Sequence, residues 1–112
     1  MYNYFMLIGR LVHDIDVKEL DDGRKVLSLV LACNRPFRKG DGSVETDFLK
    51  VTLWETTAEI VAEHVRKGAM LGIKGRLVPH KETLSNGSVV YCNDLVGDRV
   101  VFFSNTDTKV EG

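Results

Sequence analysis

Residues 46–54 constrain the fold most, because their side chains divide into two chemically different faces. Successive side chains of an extended strand point to opposite sides. One side of this segment carries an apolar run that consists of Leu49, Val51 and Leu53. The other side places aromatic rings on both sides of a lysine and consists of Phe48, Lys50, Thr52 and Trp54. We therefore predict a strand with one face in a core and the other against a covering element or a partner.

Most of the remaining chain repeats the strand period, and one segment has a helical period. Further strands are predicted at residues 3–13, 24–33, 69–78 and 89–103. After residue 54, apolar residues recur at helical spacing at Ala58, Val61, Ala62 and Val65. Thr56 and Glu59 match a capping box at the start of this helix, and Gly68 matches a stop signal at its end. The order predicts an all-β fold, a five-stranded OB-fold Greek-key barrel with one short helix between strands 3 and 4.

Two polar segments interrupt the strand pattern. Residues 34–47 are predicted to be a long loop, and loops of this length inside a compact domain are usually functional. This loop carries Phe37 among cations, which suits a finger that touches nucleic acid. Pro79 is predicted to end the fourth strand, and His80 to Ser88 to form a hairpin loop that turns at Asn86-Gly87.

The first predicted strand is apolar on both faces. Phe5 and Leu7 lie on one face, and Tyr4, Met6 and Ile8 lie on the other. A strand that is apolar on both sides needs a neighbour beyond its own core. Tyr4, Met6 and Ile8 are therefore predicted to contact another subunit.

The chain of 112 residues is long enough for one hydrophobic core. We predict one domain at residues 1–104 and a short disordered end at residues 105–112, which have no apolar pattern. No apolar run approaches the roughly 20 residues that span a bilayer, and the amino terminus lacks the features of a signal peptide. A cytoplasmic protein with reduced thiols at Cys33 and Cys92 is expected.

The sequence disfavours an enzyme. His13, His64 and His80 fall in different predicted elements, and neither HExxH nor cysteine–histidine ligand spacing occurs. A phosphate loop and a GxSxG elbow are also missing from the sequence. We expect no catalytic residue, no metal and no cofactor. The formal net charge of −1 argues against binding through bulk positive charge, although cations cluster locally.

The outward positions supply groups that suit single-stranded nucleic acid, because unpaired bases present π-faces and a flexible phosphate chain can follow a basic groove. The predicted stacking residues are Phe37, Phe48 and Trp54. The predicted basic contacts are Arg35, Arg38, Lys39, Lys50, Lys74, Arg76 and Lys81. Few of these side chains can read base edges through paired hydrogen bonds, so binding independent of sequence is predicted.

Other interpretations of the same residues stay open on the pattern alone. The helix or a subunit interface covers Phe48 and Trp54 in one of them. In another, Phe37 folds over the mouth of the barrel as a plug. Lys50 and Lys74 also fit an ordinary solvated face.

Several segments in order resemble the bacterial single-stranded DNA-binding proteins. They are NYFMLIGRLVHD at residues 3–14, residues 47–54 followed by a helix, and Arg66-Lys67-Gly68 leading into residues 73–77. The resemblance covers residues 3–103 and implies an OB-fold homotetramer, a dimer of dimers, with single-stranded DNA wrapped outside. It also implies pairing of first strands between subunits, a nucleoid-associated location, and base stacking at Phe37, Phe48 and Trp54.

The chain departs from the family pattern at two places. Where the family commonly has an aromatic residue after the fourth strand, this chain has Glu82 beside Lys81, and Tyr91 or His80 is a candidate replacement. The family's acidic tail, which recruits other proteins, has no counterpart before Gly112, so tail-mediated recruitment is not expected. Either the chain is a tail-less member or the sequence is a trimmed core.

The function predicted from these observations is sequence-independent binding and protection of single-stranded DNA. The resemblance connects this function to replication, recombination, repair or DNA uptake. The alternatives are a primosomal accessory protein and an OB module that binds proteins.

Overall fold

Six strands and one helix follow one another along residues 2–104, the part of the chain that the computed structural model describes. The strands are β1 (Phe5–Leu11), β2 (Lys18–Glu19), β3 (Lys25–Arg38), β4 (Val44–Trp54), β5 (Met70–Thr83) and β6 (Val89–Ser104). Helix α1 spans Glu55–His64, between β4 and β5. The predicted disordered end, residues 105–112, lies outside the described residues.

Five of the strands close into a barrel. The sheet order is β1-β5-β6-β4-β3, and β1 also pairs with β3 through Arg10↔Ala32 and Leu11↔Leu31, which joins the two edges. The β4–β6 pairing is parallel, and the other pairings are antiparallel. The two-residue β2 adds to the outer edge of β3. The predicted OB-fold barrel, with its helix between the third and fourth barrel strands, is confirmed.

The core contains the apolar faces that the period-two pattern predicts. Its fully buried side chains include Leu27, Leu29, Leu31, Val51, Leu53, Leu71 and Ile73. Helix α1 contributes Ala58 and Val61, and Val65 follows directly after it. Burial of each large aliphatic side chain is worth about 1.5–3 kcal/mol, so the barrel interior is the main source of stability.

Glycine allows β5 and β6 to approach closely where the barrel bends. A Cβ atom at Gly75 would collide with the carbonyl of Val96, and one at Gly97 would lie 2.5 Å from Leu53 Cδ2. The register of the two strands shifts at this point, between Lys74 and Gly75. The predicted interruption at Gly97-Asp98 is thus a strand irregularity at a barrel corner.

The predicted helix ends are wrong. The chain turns from β4 into α1 at Glu55, which has a positive φ of 52°. Trp54 is the N-cap and makes no side-chain cap hydrogen bond, so Thr56 lies inside the first turn and no capping box forms. The helix ends at His64, before Gly68. Gly68 instead adopts a φ of 91° in a later turn, where its N–H donates to the carbonyl of Leu11 at 2.8 Å.

The predicted 34–47 loop is also wrong, because most of it is strand. β3 and β4 stay paired at Asn34↔Thr46 and again at Arg38↔Val44, with a register shift between Asn34 and Arg38. Only residues 39–43 form the turn between the two strands. Pro36 falls within the shifted part, where a missing N–H donor is tolerated. Phe37 therefore lies on a projecting strand pair, the β3–β4 arm (residues 34–46).

Pro79 does not end strand β5. It pairs with Asn93, and the strand continues through His80 to Thr83 before a turn that contains Gly87 at a φ of 88°. The pairing of β5 with β1 ends at Gly75, and beyond this residue β5 pairs with β6 and leaves its other edge free. Proline is compatible with such a free strand edge. Residues 76–83 and 89–96 form a second projecting hairpin, the β5–β6 arm.

Candidate nucleic-acid interface

Strand β4 presents an exposed ring and a cation beside an open groove. Phe48 is 67% exposed, and Lys50 is also exposed on the same face. β4 and β6 pair only at Val51↔Leu95 and Thr52↔Val96, so a groove of about 310 Å³ opens beside this short contact. The groove is lined by Phe48, Leu49, Lys50, Thr52, Asn93, Asp94 and Leu95. A planar apolar group and a phosphate can be contacted here at adjacent positions.

Asn93 and Thr52 were not predicted as site residues. Both line the groove, with Asn93 entering from β6. Asn93 and Asp94 are polar residues inside a mostly apolar predicted strand, and this interruption of the pattern is the signal that marks them in the sequence.

Trp54 is half-buried and is partly covered by an arginine that the sequence pattern did not single out. The guanidinium carbon of Arg24 lies 5.0 Å from the centroid of the Trp54 ring. Asp22 holds Arg24 in place through a 2.8 Å ion pair. The register Val26↔Trp54 brings the residues just before β3 beside the indole, but this register is visible only once the strands are paired. A guanidinium plane over an indole is itself a surface on which a base can stack.

The β3–β4 arm carries Phe37, which is 62% exposed. Phe37 does not plug the barrel mouth, because it projects from the arm into solvent. The exposure of Phe48 likewise shows that α1 does not cover that ring. Coverage of Phe48 and Trp54 by another subunit stays a prediction.

Arg35 of this arm is paired with two acidic side chains. Arg35 lies 3.0 Å from Asp47 and 3.5 Å from Glu45, and Arg38 donates to the carbonyl of Gly42 at 2.9 Å. Hydrogen bonding from Arg35 lowers the pKa of Asp47 below its ordinary value, and the same carboxylate raises the pKa of Arg35. The charge of Arg35, one of the predicted phosphate contacts, is thus partly balanced, whereas Arg38 bonds a neutral carbonyl.

Lys74 and Arg76 lie on a different face of the barrel from Phe48. Lys74 pairs with Met6 of β1, and its Nζ lies 5.6 Å from the centroid of the Tyr4 ring. Arg76 lies 3.8 Å from Asp98. These side chains line a second groove, of about 460 Å³, together with Asn3, Gly75 and Arg99. Arg99 was missed because only the β5–β6 register places it opposite Lys74.

Lys81 lies on the β5–β6 arm beside Tyr91. Of the two candidates, Tyr91 is the better replacement for the aromatic residue that the family commonly has after the fourth strand. Tyr91 is directly paired with Lys81, is 76% exposed, and has its ring centroid 5.6 Å from Lys81 Nζ. His80 pairs with Cys92 instead, and neighbouring strand positions face opposite sides. Tyr91 therefore lies beside Lys81, whereas His80 faces away from both.

The outer face of β1 is apolar and open in the single chain. Tyr4, Met6 and Ile8 are all exposed, in agreement with their predicted outward direction. Val101 and Phe103 of β6 add to the same sheet face, and the Phe103 ring lies against Gly72. Lys74 and Arg99 lie on the same sheet face next to Met6, so cations border this apolar patch. An exposed apolar patch of this kind is typical of an interaction surface.

A closed five-stranded barrel with this connectivity belongs to the class of oligonucleotide- and oligosaccharide-binding folds. The chain belongs to the single-strand binding protein family, whose sequence model matches residues 2–103.

Two relatives and one solved structure show how far the similarity extends. The chain is 36% identical over 102 residues to single-stranded DNA-binding protein B of Bacillus subtilis (strain 168), and the match covers 91% of this chain and 90% of that protein. It is 35% identical over 109 residues to the single-stranded DNA-binding protein of Oceanobacillus iheyensis, and the match covers 97% of this chain and 68% of that protein. The Plasmodium falciparum SSB complex with ssDNA aligns with a TM-score of 0.76 and 25% identity, over 93% of this chain and 96% of that chain. Within residues 2–104, no helix is long and apolar enough to cross a membrane.

Proposed function

We propose that this chain binds and protects single-stranded DNA without sequence preference and performs no catalysis. The observation that carries the proposal is Phe48, a large ring that is 67% exposed beside Lys50 and the β4–β6 groove. Stacking on an aromatic side chain is worth about 1–3 kcal/mol per base and does not depend on which base is bound. Phe37 and Trp54, with Arg24, provide further stacking surfaces.

The comparisons support the same ligand. Relatives that share about a third of their residues with this chain are named for binding single-stranded DNA, and the similar solved structure is a complex with ssDNA. Replication, recombination, repair or DNA uptake, in the cytoplasm at the nucleoid, are the processes that fit such a protein.

The cationic groups lie on several faces of one subunit, which suggests a wrapped path for the strand. Lys50 adjoins Phe48, Lys81 lies on the β5–β6 arm, and Lys74 and Arg76 line the groove beside β1. Arg35, Arg38 and Lys39 lie on the β3–β4 arm. A single-stranded polynucleotide is flexible enough to pass between these faces, whereas a duplex is not.

We further propose that the chain assembles as a homotetramer, a dimer of dimers. The open apolar face with Tyr4, Met6 and Ile8 on β1 supports this assembly, because a monomer rarely exposes such a patch. A self-complementary face at a two-fold axis covers it on both copies at once.

A fluorescence titration tests the DNA-binding proposal. Trp54 is the single tryptophan of the chain, so a change in its emission reports on that site. We expect oligo(dT) to quench the emission, and log K to fall with log salt by about 0.7 for each phosphate contacted. Absence of both quenching and binding at low salt would refute the proposal. The solution mass, measured separately, tests the tetramer.

A further inference from the structure

Four side chains with metal-binding groups lie together on one face of the β5–β6 arm. His80 and Glu82 alternate along β5, Cys92 and Asp94 alternate along β6, and His80 pairs directly with Cys92. Alternate residues of a strand share a face, so the hairpin brings these four groups to the same side. None of them belongs to the stacking or basic set of the proposed DNA interface.

The spacing of the potential ligand atoms is close to that of a zinc site. His80 Nε2 lies 3.4 Å from Glu82 Oε2, and Cys92 Sγ lies 3.7 Å from Glu82 Oε1. One ligand atom from each of His80, Glu82 and Cys92 lies within 4.8 Å of the others. Tetrahedral zinc bonds of about 2.0–2.3 Å place neighbouring ligand atoms roughly 3.3–3.8 Å apart. The separations from Glu82 fall within this range, and the His80 and Cys92 ligand atoms lie within 4.8 Å of each other.

The second nitrogen of His80 is arranged as a metal-bound histidine requires. Nδ1 is shielded from solvent and makes no hydrogen bond within residues 2–104, although Asp94 Oδ2 lies only 3.1 Å away. A metal ion on Nε2 would fix the ring proton on Nδ1, which then donates to Asp94. Histidine ligands commonly donate their other N–H to a carboxylate in this way.

We propose that His80 Nε2, Cys92 Sγ and a Glu82 carboxylate oxygen bind a Zn²⁺ ion, with Asp94 orienting the His80 ring. A nitrogen, sulfur and oxygen set suits this borderline-soft cation, whereas Mg²⁺ and Ca²⁺ prefer oxygen ligands. The Cys92 thiol releases its proton to solvent as the Zn–S bond forms. Water can take the fourth position, because the side chains of His80 and Glu82 are partly exposed.

The sequence pattern does not reveal this site, and the expectation of no metal was based on ligand spacing along the chain. Cys92 lies ten residues after Glu82, on the other side of a turn. Only the cross-strand register brings the two strands' ligands together. The bound ion would link β5 to β6 and stiffen the arm that carries Lys81 and Tyr91 on its opposite face.

Spectroscopic titration with Co²⁺, followed by displacement with Zn²⁺, tests the proposal on the full chain in metal-free, reducing buffer. We expect one Co²⁺ per chain, with a sulfur-to-cobalt charge-transfer band that shows thiolate coordination. Zn²⁺ should abolish the band, and Mg²⁺ should leave it unchanged.

Variants assign the ligands. Cys92→Ser and His80→Gln should each weaken Zn²⁺ binding by more than about 100-fold, and Asp94→Asn by about 10- to 100-fold. Cys33→Ser is the matched control, because it removes the other cysteine of the chain, and it should retain both the band and the affinity.

Three outcomes would overturn the proposal: no charge-transfer band at micromolar Co²⁺, an unchanged band in Cys92→Ser, or loss of the band in Cys33→Ser. Circular dichroism in metal-free buffer checks that each variant is folded. Should Cys92→Ser fail to fold, Glu82→Gln gives the decisive measurement, because this exposed side chain contributes nothing to the barrel core. Unchanged Zn²⁺ affinity in folded Glu82→Gln would then overturn the proposed site.

Discussion

Single side chains on β4 differ in what they contribute, because some are buried in the core and others are exposed. On β4, Val51 and Leu53 are fully buried, whereas Phe48 on the opposite face is mostly exposed. We therefore expect mutation of the buried residues to affect folding, and mutation of Phe48 to affect the proposed DNA binding. Truncating a buried aliphatic side chain to alanine costs about 2–5 kcal/mol of folding free energy, but an exposed ring has little packing to lose.

Substitution of Phe48 by alanine should weaken oligo(dT) binding without a change in melting temperature. Loss of one stacking platform worth about 1–3 kcal/mol corresponds to roughly a 5- to 150-fold weaker affinity. Phe48→Trp is the matched control and should retain binding, because it keeps a π-face at the same position. Fluorescence anisotropy of labelled oligo(dT) and a thermal melt give the two readouts. A large fall in melting temperature of Phe48→Ala would show instead that the ring is a packing group covered by another subunit.

At the scale of elements, the apolar period was sufficient to predict the barrel strands and the buried stripe of α1. The predicted strand ends failed at Pro36 and Pro79, because both prolines lie on projecting hairpins where a strand edge has no partner to lose. The sequence pattern also failed to show how the cations are distributed, for another reason. Lys50 and Lys74 both point outward in the pattern, but only the barrel topology shows that they lie on different faces. Side chains brought together across strands, such as Arg24 on Trp54, are invisible without the register.

The β3–β4 arm should respond to acid through the Arg35–Asp47 pair. Because the pKa of Asp47 is lowered by hydrogen bonding from Arg35, the folded arm binds this proton less readily than the unfolded chain does. The stabilisation is therefore fully present above the ordinary value of 3.8 and is lost as the pH falls through the lowered pKa. An NMR titration of the Asp47 carboxylate should show a midpoint below 3.8, and amide exchange in the arm should quicken over the same range.

The matched variant for this pair is Arg35→Gln. It should return the Asp47 midpoint toward the ordinary value, because the hydrogen-bonded cation is the largest cause of the shift. An Asp47 midpoint that is the same with and without Arg35 would contradict the assignment. The pair is solvent-exposed, so the change in overall stability should be small.

For the whole molecule, the apolar face of β1 and the dispersed cations lead to the same expectation. One subunit carries the proposed stacking and basic groups on two arms and two grooves, and a DNA strand that touches all of them must travel around the protein. Assembly through β1 would place these surfaces of neighbouring subunits in succession around a larger particle. Subunit association and DNA affinity should therefore be linked, and the two proposed surfaces meet where Lys74 Nζ lies 5.6 Å from the Tyr4 ring.

Ile8→Asp should separate subunit association from the binding of DNA by one subunit. Ile8 is 51% exposed in the single chain, so an aspartate there leaves the barrel core intact but places a charge in the proposed interface. We expect a fall in solution mass by light scattering and weaker binding of long oligo(dT), with a smaller effect on oligonucleotides short enough for one subunit. Leu84→Asp, at the exposed tip of the β5–β6 arm, is the matched control and should leave the mass unchanged. An assembly of unchanged mass in Ile8→Asp would place the subunit interface on another surface. A monomeric wild-type chain would exclude the tetramer. The DNA-binding proposal would then be decided by the fluorescence titration.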